Sequence, residues 1–497
     1  MCPITNRGAR RPYSLAVRSW LEYNRVIAIF SGIGHDSERI TPVIKARPYV
    51  SPTFYTRQDA SSGFGIAKAL GENALLAFPP EAFEVDVVVR RFFGRQQIIL
   101  NRPEGIHHIL VENPNNYRRT SATIRILRPL LGKGLLLSEG EDWKHQRRTV
   151  APALSPRSLP LLARHVATAT EAVVDKLASS RGCPIDLLTA MQSLALEIAG
   201  TSMFSLAMER YAPEMRDLIS RYTVHPGPPT LLDFLLPLAI PSPRDFSRRR
   251  VRRRWMDLIR RIIAERQGKA FEGAPRDLFD LLSTACDPES GAPFSADVLA
   301  DQVATMIAAG HETTGVALFW SLFLVASAAA VQERLAAEVA GLELGPDDAA
   351  EVLPMLSYTR AVVHEALRLY PPAFTLTRQA RNADIAGEIP VPADAVVFIA
   401  PWVLHRHRRL WVQPETFDPT RFLPGAPAPD RFAYLPFGIG PRVCIGAQFA
   451  LTEATLVLAK MIQAFHIERA DDDPVLPIAI VTTQPDRHPI FRLFPRQ

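Results

Sequence analysis

The chain has 497 residues, of which 47% are hydrophobic and 22% charged, and this ordinary globular composition excludes a disordered, collagen-like or disulfide-scaffold protein. Its 57 basic and 51 acidic residues give a net charge of +6, which allows an acidic docking partner but does not indicate nucleic-acid binding. The four cysteines form no Cys-x-x-Cys pair, which argues against a zinc ribbon or redox dithiol and favours a reducing compartment.

Residues 1–76 predict a weakly ordered extension rich in Arg, Ser and Pro, and residues 77–497 predict one large domain. The Arg-rich start is typical of a disordered tail or of an organelle transit peptide. Its apolar run, 26–30, is too short for a signal-peptide core or a membrane span. We therefore expect a cytoplasmic protein without a transmembrane anchor, with organelle targeting as the alternative.

Beyond the extension the patterns are mostly helical. Segments 85–89 and 97–100, separated around Gly94, predict a strand hairpin, and 395–399 predicts another strand. Ser295 is a candidate N-cap for a long helix. Apolar residues at helical spacing predict helices over 161–178, 187–204, 249–266, 297–330, a segment ending at Tyr370, and 447–464. The fold class predicted is mainly α with small β-sheets (α+β).

The longest apolar stretch, 316–331, lies within the long helix. It is shorter than the roughly 18 residues that a membrane span needs, and it contains Ser321 and Ser327. It also continues a helical segment that carries His311 and Glu312. A buried core helix is therefore expected here instead of a membrane span.

Segment 437–446, Phe-Gly-Ile-Gly-Pro-Arg-Val-Cys-Ile-Gly, carries the strongest chemical signal in the chain. Its glycines permit unusual backbone angles and a close approach of the backbone to a bulky flat group. Loop N–H groups, the Arg442 guanidinium and the start of the next helix all favour the thiolate of Cys444. A single thiolate in such a loop suits axial ligation of haem iron, and the alternative is an inert buried cysteine in a glycine-rich turn.

The pattern Phe-x-x-Gly-x-Arg-x-Cys-x-Gly resembles the haem-binding signature of the cytochrome P450 superfamily. The resemblance spans about 78–494 and implies the cytochrome P450 fold, with a long central helix over the haem and residues 77–497 as the catalytic domain. It implies haem b with Cys444 as the axial thiolate ligand of the iron. Phe437 and Gly438 would lie in the haem-binding loop, Phe437 beside the sulfur, and Arg442 would reach a haem propionate.

Three further residues occur in the order found in that family. Glu365 and Arg368 lie three residues apart on one helix, and Arg421 follows downstream. By itself, the first pair would predict only a surface ion pair worth less than about 1 kcal/mol. The three together resemble the family's Glu-Arg-Arg network, which implies that they hold the cysteine loop in place.

Trp143 and Arg147 lie four residues apart and share one helical face, where an indole N–H and a guanidinium can grip one carboxylate. The family uses such a pair to hold haem propionates. Arg378 matches another propionate position of the family, and Arg118 or Arg119 is a candidate for one more contact.

Segment 309–314, Ala-Gly-His-Glu-Thr-Thr, lies midway along the long helix, where glycine and adjacent threonines predict a local distortion. The zinc-protease pattern His-Glu-x-x-His is absent because position 315 is Gly315. The segment resembles the family's oxygen-activation motif. That resemblance implies that Gly310 leaves a groove for dioxygen and that Thr313 and Glu312 deliver protons.

The resemblance as a whole implies a haem-thiolate monooxygenase of bacterial type that inserts one oxygen atom of dioxygen into a hydrophobic small molecule, by hydroxylation or epoxidation. A haem-thiolate isomerase, dehydratase or peroxygenase is the alternative, although the intact Glu312–Thr313 pair argues against it. A non-catalytic haem-binding protein is a third interpretation. Substrate contacts are expected from segments 120–132, 304–308, 373–377 and 481–483.

No flavin or iron–sulfur domain follows the cysteine loop in the sequence, so we expect electrons from a ferredoxin- or flavodoxin-type donor with its NAD(P)H reductase. Six basic residues are candidates for docking that donor or, alternatively, for a solvated face: Lys144, His145, Arg148, Arg406, Arg408 and Arg409. The basic run 247–254 predicts a solvated helix start, with contact to an anionic membrane or partner as the alternative.

Overall fold

Helices dominate the structure, a computed structural model that describes residues 49–51, 63–179, 182–206, 208, 210–267 and 276–496. Most of the predicted extension, including the Arg-rich start, lies outside the described residues. Residues 48–497 belong to one compact unit, in which the chain is already helical from Gly63 and Leu75 is fully buried. The division of the chain at residue 76 stays a prediction.

The α-helices are, in chain order, α1 (Gly63–Glu72), α2 (Pro103–His107), α3 (Ser121–Leu131), α4 (Gly140–Val150), α5 (Leu159–Ala178), α6 (Leu187–Phe204), α7 (Ala212–Val224), α8 (Leu231–Leu235), α9 (Pro243–Gln267), α10 (Leu278–Ser283), α11 (Ala296–Ala326), α12 (Ala329–Val339), α13 (Ala349–Val352), α14 (Ser357–Leu369), α15 (Pro401–Leu404) and α16 (Ala447–Ala464). The strands are β1 (Val87–Phe92), β2 (Arg95–Leu100), β3 (Tyr117–Arg118), β4 (Ile185–Asp186), β5 (Leu376–Ala380), β6 (Asp384–Ala386), β7 (Ile389–Val391), β8 (Val396–Ile399), β9 (Phe465–Arg469), β10 (Pro477–Ala479), β11 (Thr483–Pro485) and β12 (Ile490–Pro495). The predicted fold class, mainly helical with small sheets, is confirmed.

The strands form small separate sheets. The largest has the order β1-β2-β8-β5-β3, in which β1 and β2 form the predicted antiparallel hairpin and β2 runs parallel to β8. A three-stranded sheet has the order β4-β12-β9, and β6-β7 and β10-β11 are two-stranded hairpins. The β10-β11 hairpin is the one that later matters for the site.

Helix α11 is the central element, and at 1.5 Å per residue its 31 residues extend over about 46 Å. Its first turn is capped as predicted, because the Ser295 hydroxyl accepts a hydrogen bond from the Val298 N–H at 3.4 Å. The prediction that the helix continues to 330 is wrong. It ends at Ala326, the non-helical backbone of Ala328 follows, and α12 leaves at 110°. The apolar run crosses the bend, so hydropathy gave no sign of it.

Residues 316–325 of α11 are buried, as predicted for a core helix. Within the described ranges, no single helix is long and apolar enough to span a membrane, and only α11 and α12 taken together, across their bend, meet that length and composition.

The buried side chains form clusters that meet along α11. One surrounds the C-terminal half of α11 from Val316, with side chains of α5, α6, α14 and α16. Another surrounds the N-terminal half as far as Ile307, with side chains of α3, α7, α9 and α10. A third lies beneath the five-stranded sheet. Segment 309–314 therefore lies where the two largest clusters meet.

Helix α9 begins at Pro243, six residues before its predicted start, since proline is compatible with a first helical turn. The basic run therefore lies within α9 and is only partly solvated. Arg248 is fully buried and binds both carboxylate oxygens of Asp233, at 2.5 and 3.0 Å.

Candidate functional site

The cysteine loop, between α15 and α16, is held by backbone contacts. The Cys444 N–H donates to the Phe437 carbonyl at 2.9 Å, and the Val443 N–H donates to the Gly440 carbonyl at 3.0 Å. Gly438 and Gly440 have positive φ angles of 68° and 75°, which glycine adopts without strain. A Cβ on Gly440 would lie 2.1 Å from the carbonyl oxygen of Leu110. The glycines are therefore required by the path of this loop.

The Cys444 thiol lies three residues before α16 and is exposed, although the protein around it raises the pKa of the thiol above its ordinary value. A side chain at the surface of a recess can be reached by solvent and still be surrounded by enough protein to raise its pKa. The Gly446 N–H and the Arg147 guanidinium act in the opposite direction and lower that pKa. The cation near the sulfur is thus Arg147, not Arg442 as the sequence predicted, and burial outweighs its effect.

Four guanidiniums, those of Arg119, Arg378, Arg381 and Arg442, gather near a single carboxylate, that of Glu139. Arg442 lies 3.1 Å from Glu139 and donates to the Ser138 carbonyl at 3.0 Å. Burial and the neighbouring guanidiniums lower the pKa of Arg119 to about 9 and that of Arg378 to about 10. The cluster carries more positive charge than Glu139 balances, and such a buried excess favours the binding of anions.

The residues Trp143 and Arg147 lie on α4, next to this cluster. The Arg442 guanidinium lies 4.5 Å from the centroid of the Trp143 ring, and Arg147 donates to the Val443 carbonyl at 2.8 Å. The sequence left Arg118 and Arg119 as alternatives. The structure places Arg119 in the cluster, whereas Arg118 pairs with Asp394 at the surface.

The predicted Glu365–Arg368 pair is fully buried and bidentate, with two N–O distances of 2.7 Å. Arg421 approaches Glu365 at 3.5 Å, and the Asp418 N–H donates to Glu365 at 2.9 Å. Arg368 also donates to the carbonyls of Pro414 and Thr416. The three residues thus fasten α14 to segment 414–421.

His405 connects this network to the cysteine loop and was not identified in the sequence. Arg368 donates to the His405 carbonyl at 2.8 Å, and the Leu435 N–H donates to His405 Nε2 at 2.8 Å. Burial, aided by the charge of Arg368, lowers the pKa of His405 to about 3, so its ring is neutral and Nε2 accepts. Leu435 lies two residues before Phe437. The contacts from Arg368 through His405 to Leu435 therefore help to position the start of the cysteine loop.

On α11 the helix continues without interruption through 309–314, so the distortion predicted there does not break the helix. The Thr313 hydroxyl donates to the Ala309 carbonyl at 2.6 Å, which satisfies it within the helix. Ala309 is exposed in the middle of a buried helix, and a Cβ on Gly310 would meet no other atom within 4 Å. Open space therefore borders this turn.

Glu312 faces the β10-β11 hairpin. Its Oε1 accepts hydrogen bonds from the Thr482 hydroxyl at 3.0 Å and from the Gln484 amide at 2.8 Å. The neighbouring His311 hydrogen-bonds through Nδ1 to the Ile307 carbonyl at 2.9 Å, and burial lowers its pKa. Gln484 was not identified from the sequence, where it carries no motif.

The four segments expected to contact substrate are connected to one another. The Thr123 and Thr377 hydroxyls lie 3.1 Å apart and join α3 to β5. The Thr483 N–H donates to the Pro372 carbonyl at 3.2 Å, and Thr305 on α11 donates to the Leu131 carbonyl at 3.1 Å. These contacts, with the one between Thr482 and Glu312, place all four segments around the same part of α11.

The candidate docking residues are mostly paired with carboxylates. Arg406 is fully buried against Glu415, which excludes it from any docking surface. His145 and Arg148 both bind the carboxylate of Asp287. Lys144, Arg408 and Arg409 pair with Glu141, Glu84 and Asp86, respectively. A docking face built from the remaining residues stays a prediction.

Comparison with known proteins agrees with this geometry. The chain matches the model of the family cytochrome P450 over residues 84–489. It is 34% identical to cyclooctatin synthase of Streptomyces melanosporofaciens, over 75% of this chain and 81% of that protein. It is 30% identical to cyclooctat-9-en-7-ol 5-monooxygenase of the same organism, over 77% of this chain and 82% of that protein.

The fold is similar to that of the crystal structure of the cytochrome P450DA heme domain, with a TM-score of 0.72 and 24% identity, over 83% of this chain and 90% of that one. With the cysteine loop, the buried Glu365–Arg368 pair and the α11 segment in place, these matches show that the chain belongs to the cytochrome P450 family and is a monooxygenase of that family.

Proposed function

We propose that this enzyme is a haem-thiolate monooxygenase that inserts one oxygen atom of dioxygen into a hydrophobic small molecule, by hydroxylation or epoxidation. The observation that carries the proposal is the accessible Cys444 thiol at the start of α16, beside a buried cluster of arginines. The family implies haem held by a cysteine thiolate. The proposal is that Cys444 is this ligand and that haem b is the cofactor.

The residues present fit such a group. A haem carries two carboxylates and an iron that the Cys444 thiolate would hold, and the excess positive charge of Arg119, Arg378 and Arg442 suits those carboxylates. Arg147 and Trp143 adjoin the same cluster. The open space beside Gly310 leaves room for a flat group and small ligands next to α11. When bound, the haem would supply the iron at which dioxygen is activated.

The α11 residues would then handle protons. Thr313 holds one on its hydroxyl, which now donates to the Ala309 carbonyl and has to rotate away from it to serve a ligand. Glu312 lies one residue earlier, hydrogen-bonded to the Thr482 hydroxyl and the Gln484 amide. We assign Thr482 and Gln484 the role of positioning this carboxylate, so that it can pass protons towards Thr313.

A hydrophobic substrate is supported by the residues that border the open space. Ala309 and Ala373 are exposed, and both neighbours of Ala373 in the chain are buried. The buried Thr375 hydroxyl has no partner among the described residues and could orient an oxygen-bearing ligand. One relative is named for a cyclic alkenol. We propose a substrate of this kind, a largely hydrocarbon molecule, with electrons from a separate ferredoxin- or flavodoxin-type donor.

Other expectations stay predictions. The cytoplasmic location and its alternative, organelle targeting, depend on the N-terminal residues, which lie outside the described part of the chain.

The decisive experiment is a carbon monoxide difference spectrum of the reduced protein, compared between the wild type and Cys444→Ser. We expect the thiolate-haem signal in the wild type and its loss in the variant, because serine does not supply the soft sulfur ligand. Cys286→Ser, which alters an exposed cysteine elsewhere, is the matched control and should keep the signal. An unchanged spectrum in Cys444→Ser would overturn the ligand assignment.

The role of Thr313 needs a separate measurement. In Thr313→Ala we expect electrons to be consumed with less product and more hydrogen peroxide, because the hydroxyl proton is missing. Thr314→Ala removes the neighbouring hydroxyl and should stay close to wild-type coupling. Equal coupling in all three proteins would count against the assignment.

A further inference from the structure

A recess of about 350 Å³ lies between α3 and α9, closed by segment 238–241 and by the turn that follows α3. Its wall is strongly basic. Six cationic side chains line it, against Asp245 as the acidic one. Segment 120–132, which lines one side of the recess, is also expected to contact substrate, so the recess adjoins the proposed substrate site, while segment 309–314 of α11 does not line it.

Half of the cations form the fixed wall of the recess. Arg125 is buried and pairs with Asp245 at 2.8 Å, and it donates to three carbonyls of segment 236–240. Arg248 pairs with the buried Asp233. Arg252 pairs with Asp301 of α11 at 3.1 Å. These contacts fix the shape of the recess before any ligand enters it.

The other three cations line the recess without a carboxylate. Within the described part of the chain, the side chains of Arg128, Lys133 and Arg249 have no ion-pair partner. The Nε atom of the buried Arg125 also has no hydrogen-bond partner there. The buried N–H of Arg125 lacks the partner that such a group normally has, whereas the exposed Arg128, Lys133 and Arg249 place three unbalanced positive charges around one concave surface. An anion with several oxygen acceptors suits both features.

The rim of the same recess is apolar. Ile124 and Leu238 line it, and Leu238 is 41% exposed. Ile240 and Phe246 follow in the chain and are 51% and 65% exposed. Exposed apolar side chains next to a cationic recess are suited to a ligand with an anionic head and a hydrocarbon part.

We propose that this recess binds the phosphate head of an amphiphile, a phosphate ester or diphosphate ester whose apolar part lies against Leu238, Ile240 and Phe246. A carboxylate brings one charge, whereas a phosphate group brings up to two and a diphosphate more, with oxygens for several guanidiniums at once. None of the residues that line the recess belongs to segment 309–314 or to the cysteine loop. Along α11, Asp301 lies nine residues before Gly310, about 13 Å away.

The test uses the full-length holoenzyme and calorimetric titration with inorganic pyrophosphate and with dodecyl phosphate below its micelle concentration. A triple variant, Arg128→Gln, Lys133→Gln and Arg249→Gln, removes the unpaired cations, and all three side chains are exposed enough to change without harm to the fold. The matched control is Arg250→Gln, Arg253→Gln and Arg254→Gln, which removes the same charge from exposed positions of α9 outside the recess.

We expect the recess variant to bind pyrophosphate about 100-fold more weakly than the wild type, and the control variant to stay within about twofold. Dodecyl phosphate should bind more tightly than methyl phosphate because of the apolar rim. Absence of binding to pyrophosphate and dodecyl phosphate, or an equal loss in both triple variants, would overturn the proposal.

Sedimentation with vesicles distinguishes the two sources of such a head. Binding to phosphatidylglycerol vesicles but not to phosphatidylcholine vesicles, lost in the recess variant only, identifies a membrane lipid. Dodecyl phosphate binding without vesicle binding identifies a free phosphate ester. Vesicle binding that survives in the recess variant and disappears in the control variant would assign the effect to the open face of α9 and contradict the site.

Discussion

The proposed function assigns the cysteine loop and segment 309–314 of α11 to the same site, and the two segments are held in different ways. The loop is fixed by its own backbone, with two glycines at positive φ and a Gly440 position that has no room for a Cβ. The α11 segment is a regular helix, with open space beside Gly310 and its one carboxylate anchored by residues more than 160 positions away.

The difference explains where sequence motifs occur. A loop without regular hydrogen bonds needs particular residues at particular positions, and those residues leave a dense signature. A helix needs few special residues to keep its shape, and its functional side chains are oriented by partners from other elements. Substitutions in and around the cysteine loop should therefore mainly lower the stability of the protein. Substitutions in segment 309–314 of α11 should mainly lower its activity.

The largest effect is expected for Arg368→Ala. Removing one partner of a buried ion pair leaves Glu365 uncompensated and typically costs about 3–5 kcal/mol in the free energy of unfolding. The carbonyls of His405, Pro414 and Thr416 lose their donor as well. We expect haem incorporation to be abolished, measured as haem per protein together with urea unfolding.

The control is an exposed ion pair with the same spacing, Glu141 and Lys144. Glu141→Gln should leave both the free energy of unfolding and the haem content close to those of the wild type, because water screens an exposed ion pair. A normal haem content in Arg368→Ala would show that the network does not hold the cysteine loop.

Gly440→Ala is the next largest. The new methyl group would meet the backbone of Leu110, and alanine at a φ of 75° is strained, so we expect a loss of about 2–4 kcal/mol. Gly446→Ala, at the N-cap of α16, meets open space and has a negative φ, so it should cost only about 0.5–1 kcal/mol, the amount by which glycine is preferred over alanine at an N-cap. The measurement is thermal unfolding of the two variants under the same conditions. Equal stabilities would show that the loop does not require glycine at position 440.

Much of the fold could be predicted because the helices around α11 bury one face with a regular period. Helices α6 and α16 have the predicted bounds, and α5 begins two residues early. The bend after Ala326 could not be predicted, since the residues on both sides of it are apolar and only tertiary packing sets the turn. The early start of α9 could not be predicted from hydrophobic spacing, because its buried face there carries a charged residue, Arg248, paired with Asp233.

The site divides in the same way. Arg368 and Arg421 both lie near Glu365, as their order along the chain predicted, whereas Glu139, His405 and Gln484 could not be predicted. Each is a single polar residue, far in sequence from its partner, with no spacing rule to identify it. Arg118 and Arg119 could not be separated because neighbours in an extended segment point to opposite sides, and only the sheet decides which side faces the site.

A pH-dependent prediction concerns Glu453, on α16 behind the cysteine loop. Its carboxyl group is buried, its Oε1 has no partner among the described residues, and burial raises its pKa well above the ordinary value. The unfolded chain releases this proton above about pH 4.3, while the folded chain retains it, so the wild type loses stability as the pH rises from there towards the folded pKa.

Glu453→Gln keeps the shape of the side chain and does not titrate. We expect it to match the wild type in urea unfolding near pH 5 and to be more stable at pH 8. Glu343→Gln, at an exposed position, should show the wild-type pH dependence. A Glu453→Gln protein that is less stable than the wild type at pH 8 would mean that the carboxylate is ionised and paired.

The smallest change in stability, and the sharpest contrast with Gly440→Ala, is expected for Gly310→Ala. A methyl group at this position meets no atom within 4 Å, and alanine favours a helix interior by about 0.5–1 kcal/mol, so the variant should be slightly more stable than the wild type. The same methyl group enters the open space that the proposed function assigns to dioxygen and substrate, so product formation should fall.

Gly315→Ala, five residues later, is the control for packing, because its Cβ would lie 2.9 Å from the backbone of Gln192 and should destabilise the protein. A Gly310→Ala enzyme that is stabilised and fully active would place the reaction elsewhere, whereas a destabilised one would show that the helix here is packed as tightly as the cysteine loop.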